Sequence, residues 1–177
     1  MNCGFAVSLL CFAFSAVLAA APVSLDVKGR LDAAGLLFCG DNYANRRNYT
    51  QGSAKEWKLD KLECDPKAGR WSSAGEVQLP DAEKITFSGE LRRVAENQYT
   101  YDFTLRNVKY NFTLRAAIPA NTFAGRSLVF DGKPFRLPLE KKNLSLSSGS
   151  ARKIEIPCDN GSLVIESGQP VYFNLHD

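Results

Sequence analysis

The stretch YTYDFTLRNVKYNFTLRAAI, residues 99–118, decides the fold class. Apolar and polar residues alternate along residues 99–106 and again along residues 108–116. Successive side chains of a β-strand point to opposite faces, so each run predicts a strand with one apolar face. With Arg106 and Asn107 as a two-residue turn (a longer loop is the alternative), the strands form a hairpin that pairs apolar residues: Leu105 with Val108, Phe103 with Tyr110, Tyr101 with Phe112, Tyr99 with Leu114.

A second tight turn is predicted in RSLVFDGKPFRLPLE, residues 126–140. Asp131 and Gly132 are residue types that adopt the positive φ angles of a hairpin turn, and we interpret them as a turn rather than a ligand site. Pro134 and Pro138 indicate an edge strand, because proline donates no backbone hydrogen bond. The expected pairs are Phe130 with Lys133 and Leu128 with Phe135.

A third hairpin is predicted in KIEIPCDNGSLVIE, residues 153–166. Asn160 and Gly161 favour a type I′ turn. That turn would place Cys158 opposite Leu163 and Ile156 opposite Ile165.

Shorter alternating runs predict further strands at residues 23–31, 57–63, 75–80, 84–91 and 170–175. No segment after the N-terminal apolar run has sustained helical periodicity. The pattern predicts an all-β fold, an antiparallel β-sandwich of about 8–10 short strands, with a closed barrel as the alternative. Residues 32–56, rich in Gly, Asn and Ala, are predicted to form a long loop or an insertion.

The N-terminus predicts a cleavable signal peptide over residues 1–21. Residues 5–20 are apolar except for two serines, and Ala19, Ala20 and Ala21 supply the small residues of a cleavage site. The first four residues contain no Lys or Arg, which is atypical of a signal peptide, and a buried helix is the alternative. We expect residues 22–177 to form a single domain, secreted or at the periplasm or cell surface, without stable membrane insertion. The sequence leaves open whether that domain is truncated at its C-terminal end.

The charge pattern argues against nucleic-acid binding. The net charge is +3, and basic residues are scattered among acidic ones rather than clustered as a phosphate backbone requires. Catalytic motifs are also missing from the sequence. The single histidine, His176, lies one residue from the end, and no spacing of Cys, His or carboxylates predicts a metal or cofactor. We therefore expect no autonomous enzyme.

Three cysteines follow the predicted leader: Cys39, Cys64 and Cys158. An odd number permits at most one internal disulfide, and we predict Cys39 with Cys64 because both flank expected loops. Cys158 lies in an alternating strand and is predicted to be a small buried side chain.

Four aromatic residues lie in or beside polar segments: Tyr43, Tyr49, Trp57 and Trp71. When such rings are exposed, they can stack on the apolar face of a sugar. These four residues are therefore our candidate ligand-binding residues. The alternative is that the two indoles close the edge of the core. Four sequons would carry glycans only in a eukaryotic host, at Asn48, Asn111, Asn143 and Asn160.

Residues 98–177 resemble a β-sandwich segment of large secreted bacterial proteins, where it precedes a glycoside-hydrolase-like barrel. The resemblance lies in the DGKP turn at residues 131–134, the strands KIEIP and GSLVIE, and a last strand ending in Asp177. It implies an accessory module associated with carbohydrate, with a glycan or a downstream catalytic domain as partner, and it carries over no catalytic residue. The alternative from the residues is a secreted structural or protein-interaction domain that contacts partners through exposed strands.

Overall fold

The computed structural model describes residues 8–18, 23–81, 83–109, 111–116, 118, 120–140, 145–158 and 161–176. Within them the chain is almost entirely β, which confirms the all-β class. The structure has more strands than the sequence predicts: β1 Ser8–Leu18, β2 Val23–Leu25, β3 Leu31–Ala33, β4 Leu36–Ala44, β5 Arg47–Thr50, β6 Trp57–Asp65, β7 Arg70–Gln78, β8 Lys84–Ala95, β9 Gln98–Arg106, β10 Asn111–Ala116, β11 Ser127–Phe130, β12 Lys133–Arg136, β13 Ser145–Cys158 and β14 Gly161–His176, with one helical turn, α1, at Ala120–Phe123.

The strands form two antiparallel sheets. The larger sheet has the order β12-β11-β13-β14-β1-β9-β8-β7-β6. The smaller has the order β10-β4-β3-β2, and β5 pairs with β4. Buried side chains of both sheets belong to one hydrophobic cluster, as expected when two sheets cover a common core.

The hairpin predicted for residues 99–118 is wrong in its pairing. β9 pairs with β8 and β1, whereas β10 pairs with β4 in the other sheet. The Phe103 ring instead stacks on Phe112, with centroids 5.4 Å apart and planes 5° from parallel. The alternation itself is correct, because an apolar face is buried as well by a facing sheet as by a neighbouring strand. Asn107, with a φ of 62°, lies where the chain leaves the larger sheet.

The turn at Asp131 and Gly132 is confirmed, with φ values of 47° and 79° and the predicted pairs in register. Asp131 also connects this hairpin to β13 through hydrogen bonds. Its carboxylate accepts the backbone N–H groups of Arg152, at 3.0 Å, and Lys153, at 2.9 Å, where β13 has an irregular register. β12 is an edge strand, as the prolines indicate.

The third hairpin forms in a different register. Cys158 pairs with Gly161 and Ile156 with Leu163, two residues away from the predicted partners. Residues 159 and 160, which link the strands, lie outside the described part of the chain. A shift of two residues keeps every side chain on its face, so the apolar pattern could not distinguish the two registers.

The segment predicted to be a loop, residues 32–56, forms strands instead. This segment contains β4, β5 and most of β3, linked by tight turns in which both central residues have positive φ: Ala34 at 56° and Gly35 at 77°, and Asn45 at 51° and Arg46 at 62°. Ala34 and Arg46 are not typical at such positions, so the turns were not recognisable from the sequence. The strands predicted at residues 57–63, 75–80, 84–91 and 170–175 lie in β6, β7, β8 and β14, with the run at 75–80 extending two residues past β7.

Part of the predicted signal peptide, residues 8–18, lies between β9 and β14 as β1. The predicted cleavage positions, Ala19, Ala20 and Ala21, lie outside the described residues. Cleavage there stays a prediction. In the described part of the chain, no helix is long and apolar enough to cross a membrane.

Candidate functional site

A cleft of about 210 Å³ opens beside Trp57. The turn after β2, the segment following β5 and the start of β6 form its walls. Its lining combines apolar and polar residues. The lining residues are Val27, Lys28, Gln51, Gly52, Ala54, Trp57, Leu59 and Phe87.

The indole of Trp57 is held in one orientation. Its N–H donates to the backbone carbonyl of Tyr49, and its ring lies 5.1 Å from the Phe87 ring at an angle of 51°. Only 8% of the residue is exposed. Trp57 therefore offers the cleft little more than a ring edge.

The wall of the cleft is fixed by Gln51, which is 2% exposed. Its Oε1 accepts the N–H of Gly40 at 3.1 Å, and its Nε2 donates to the carbonyl of Gly29 at 3.1 Å. Lys28 Nζ donates to the carbonyl of Gly52 at 2.5 Å across the rim. Gln51 uses its amide inside the protein. Among the lining residues, Lys28 is therefore the one that offers a ligand a charged group.

The four candidate aromatic residues do not form one platform. Tyr49 is 1% exposed and meets Trp57 through its carbonyl, while Trp71 is 8% exposed and packs against Tyr99 with ring centroids 6.3 Å apart. Tyr43, 53% exposed, is the one ring of the four that is accessible over a large area. A sugar stacks on an open ring face, so the structure favours the alternative in which both indoles belong to the core.

The disulfide predicted between Cys39 and Cys64 does not form in the structure. Cys39, Cys64 and Cys158 are all free thiols. Cys39 lies on β4 of the smaller sheet and Cys64 on β6, at the edge of the larger sheet, so their side chains belong to different layers. Burial raises the pKa of the Cys39 thiol, although the neighbouring Arg30 opposes that effect. Cys64 is exposed and Cys158 is half-buried.

Charged groups on the smaller sheet bind one another. Arg30 forms an ion pair with Asp26 at 2.6 Å, and Arg115 forms one with Asp41 at 3.3 Å. Burial raises the pKa of Asp26, but hydrogen bonds from Arg30 and Lys28 outweigh it and hold that pKa below its ordinary value. Among the described residues, no group of three or more His, Cys, Asp or Glu could hold a metal ion. The acidic residues here stabilise the sheet and its turns.

One predicted sequon has an asparagine whose exposure the structure describes. Asn48 is exposed on β5. The side chain of Asn111, on β10, is not described, and Asn143 and Asn160 lie outside the described residues. Glycosylation stays a prediction.

The edges of the larger sheet differ in how they are protected. β6 carries five charged residues among nine and a register irregularity, both of which discourage another strand from adding. The outer parts of β13 and β14 form a different kind of edge. Residues 145–151 and 171–176 pair with each other and, within the described chain, with no other strand.

We call these two segments the outer ribbon. Neither contains a charged residue or a proline. Phe173 stacks on Phe130 of β11 with centroids 4.0 Å apart, which anchors one side, while Tyr172 is 71% exposed. A two-stranded ribbon with uncharged edges is open to pairing with a further strand. This surface was not predicted from the sequence, although residues 145–150 contain four serines and no charged residue.

The chain matches no model of a known protein family, no curated protein and no solved structure.

Proposed function

We propose that this protein is a secreted, noncatalytic β-sandwich domain that binds other polypeptides through exposed strands. The observation that supports it most is the outer ribbon, whose uncharged edges contrast with the charged edge at β6. Backbone N–H and C=O groups along such an edge pair with an extended segment of a partner, and the side chains at alternate positions select it.

The burial of Trp57 and Trp71 supports the same proposal. An accessible pair of indoles would favour a carbohydrate platform, whereas both rings are 8% exposed and pack against Phe87 and Tyr99. Most of their area stabilises the core.

A photo-cross-linking amino acid at position 172, in the protein secreted by its own organism, tests the proposal. We expect adducts with polypeptides, identified by mass spectrometry. A variant with the same cross-linker and with Ser148→Lys and Ser150→Lys, which place charge on the outer ribbon, is expected to form roughly tenfold fewer adducts. Thr86→Lys, on the exposed face of β8, is the control and should lose none. Adducts that are absent, or insensitive to the ribbon lysines, would refute the proposal.

The cleft beside Trp57 supports a second candidate, a carbohydrate-binding accessory module associated with a glycoside-hydrolase-like protein. Its apolar lining residues and the Lys28 ammonium suit a small polar ligand with one apolar face. A glycan array with the wild-type chain and Lys28→Ala tests it. A glycan bound by the first and released by the second favours this candidate. Binding to no glycan removes it.

A further inference from the structure

The position of β1 divides the larger sheet into two halves. β9, β8, β7 and β6 lie on one side, and β14, β13, β11 and β12 on the other. β1 is antiparallel to both neighbours, with eight register pairs to β9 and seven to β14. Within the described residues, β1 is the strand that joins the two halves into one sheet.

β9 alternates strictly between buried apolar and more exposed polar residues, whereas β14 alternates in burial but has the apolar Val164 between Leu163 and Ile165. In β9, Tyr101 and Phe103 are 1% exposed, whereas Asp102 between them points to the polar face with 31% of its side chain exposed. In β14, Leu163 and Ile165 are buried, whereas the Glu166 side chain is 49% exposed. The position between them therefore suits a strand that is apolar at every second residue and polar at the others.

The sequence of β1 meets half of that requirement. The register partners of Phe103, Tyr101 and Tyr99 are apolar: Leu10, Phe12 and Phe14. The partners of the polar residues Thr104, Asp102 and Thr100 are also uncharged and mostly apolar: Leu9, Cys11 and Ala13. Ser15, the register partner of Gln98, is the one hydroxyl residue of β1 on this face. A mainly apolar run of this kind is instead what a signal peptide requires.

Cleavage after Ala19, Ala20 or Ala21 would remove β1 and leave every other described strand intact, because β2 begins at Val23. β9 and β14 would then face each other across a gap of two strand spacings, about 9–10 Å. Each would present unpaired backbone donors and acceptors inside the sheet, where an unfilled edge is unfavourable.

We propose that the exported chain accepts, in the position of β1, an extended segment of a second polypeptide that alternates apolar and polar residues and carries a basic residue among the polar ones. The segment runs antiparallel to β9 and β14. A basic residue at position 11 would lie opposite Asp102, and Glu166 lies opposite position 13 on the other side of the strand. Each of these carboxylates also forms one long ion pair with a cation of the protein. Asp102 is 3.8 Å from Arg92, and Glu166 is 3.9 Å from Lys153. This inference rests on the proposed function and names the partner's chemistry.

The test uses the processed chain recovered from a secreting host, with its N-terminus determined by mass. A fluorescent peptide of eleven residues places Leu, Phe, Phe and Ala at the positions of Leu10, Phe12, Phe14 and Ala16, with Lys at position 11 and Thr elsewhere. Its control has the same composition with the apolar residues contiguous. We expect the alternating peptide to bind at least tenfold more tightly, measured by anisotropy.

Charge reversal separates this position from nonspecific association. Asp102→Lys lies on the exposed face and leaves the core unchanged. It should weaken binding of the lysine peptide several-fold at low salt and strengthen binding of a peptide with Glu at position 11. Equal binding of the alternating peptide and its contiguous control, no effect of Asp102→Lys, or a secreted chain that retains residues 8–18 would overturn the inference. Cross-links at position 172 that persist in that case would leave the proposed function standing, whereas their absence refutes the proposed function itself.

Discussion

The stacked pair Phe103 and Phe112 provides the sharpest test of how the two sheets meet. Phe103 is 1% exposed, and its ring is nearly parallel to those of Phe87, at 6.0 Å, and Phe112, at 5.4 Å. Replacing either residue of the pair by Leu keeps an apolar side chain but removes the ring contact. We expect each single variant to lose about 1–2 kcal/mol of unfolding free energy.

The double variant measures the coupling energy between the two rings. Aromatic pairs contribute about 0.5–1.5 kcal/mol beyond their buried area, so Phe103→Leu with Phe112→Leu should lose that much less than the sum of the single changes. A domain with a stability of about 5–15 kcal/mol remains folded under this loss. Urea unfolding of the four proteins, with equal slopes, gives the coupling energy.

Tyr101 supplies the matched control for this cycle. A hairpin over residues 99–118 would place Tyr101 directly opposite Phe112, whereas in the structure the stacked partner of Phe112 is Phe103. The cycle of Tyr101→Leu with Phe112→Leu should therefore show the smaller coupling. Additivity within about 0.3 kcal/mol for Phe103, together with a larger coupling for Tyr101, would refute the facing arrangement of β9 and β10.

Three further predictions follow from single residues. Gly75→Ala should cost about 3 kcal/mol or more in urea unfolding, because its Cβ would lie 2.0 Å from the Lys58 carbonyl oxygen and 2.7 Å from the Phe87 ring. Gly132→Ala, with open space but a φ of +79°, should cost only about 1–2 kcal/mol, and equal losses would contradict this packing. Asp26→Asn should cost about 1–2 kcal/mol at pH 7, since the carboxylate accepts hydrogen bonds from Arg30 and Lys28. The folded pKa of Asp26 is lowered from 3.8, so its contribution is present above that pH and is lost as pH falls through the lower folded value; an Asn variant whose deficit stays constant down to pH 2 would contradict the ion pair. In the folded chain at pH 8, maleimide should label exposed Cys64 first and Cys39 slowly, because burial raises the Cys39 pKa, and a Cys39–Cys64 disulfide in a nonreducing digest would contradict the structure.

The all-β class followed from the sequence because side-chain alternation is a local property. Each alternating run around residues 99–116 became a strand, and Tyr101 and Phe103 became core residues. The partner of each strand is not local. β10 leaves its sequence neighbour and pairs with β4, some seventy residues earlier, because the alternation gives the identity of the buried face without the identity of the adjacent strand.

Turn chemistry explains the other differences. Asp131 and Gly132 are typical of a type I′ turn and were recognised, whereas Ala34 and Arg46 adopt positive φ without the usual residue type. The prediction of the candidate site failed for a related reason. Trp57 lies beside a polar segment in the sequence, yet a hydrogen bond to the Tyr49 carbonyl and contact with Phe87 turn its ring into the core. Neither contact has a local sequence signal.

The pairing of β10 tests the two-sheet arrangement most directly. In isotope-labelled protein, backbone proton contacts should connect Thr113 with Asp41, and Arg115 with Cys39, as register partners of β10 and β4. Backbone contacts that instead connect Phe112 with Tyr101, and Leu114 with Tyr99, would show a local hairpin and contradict the fold.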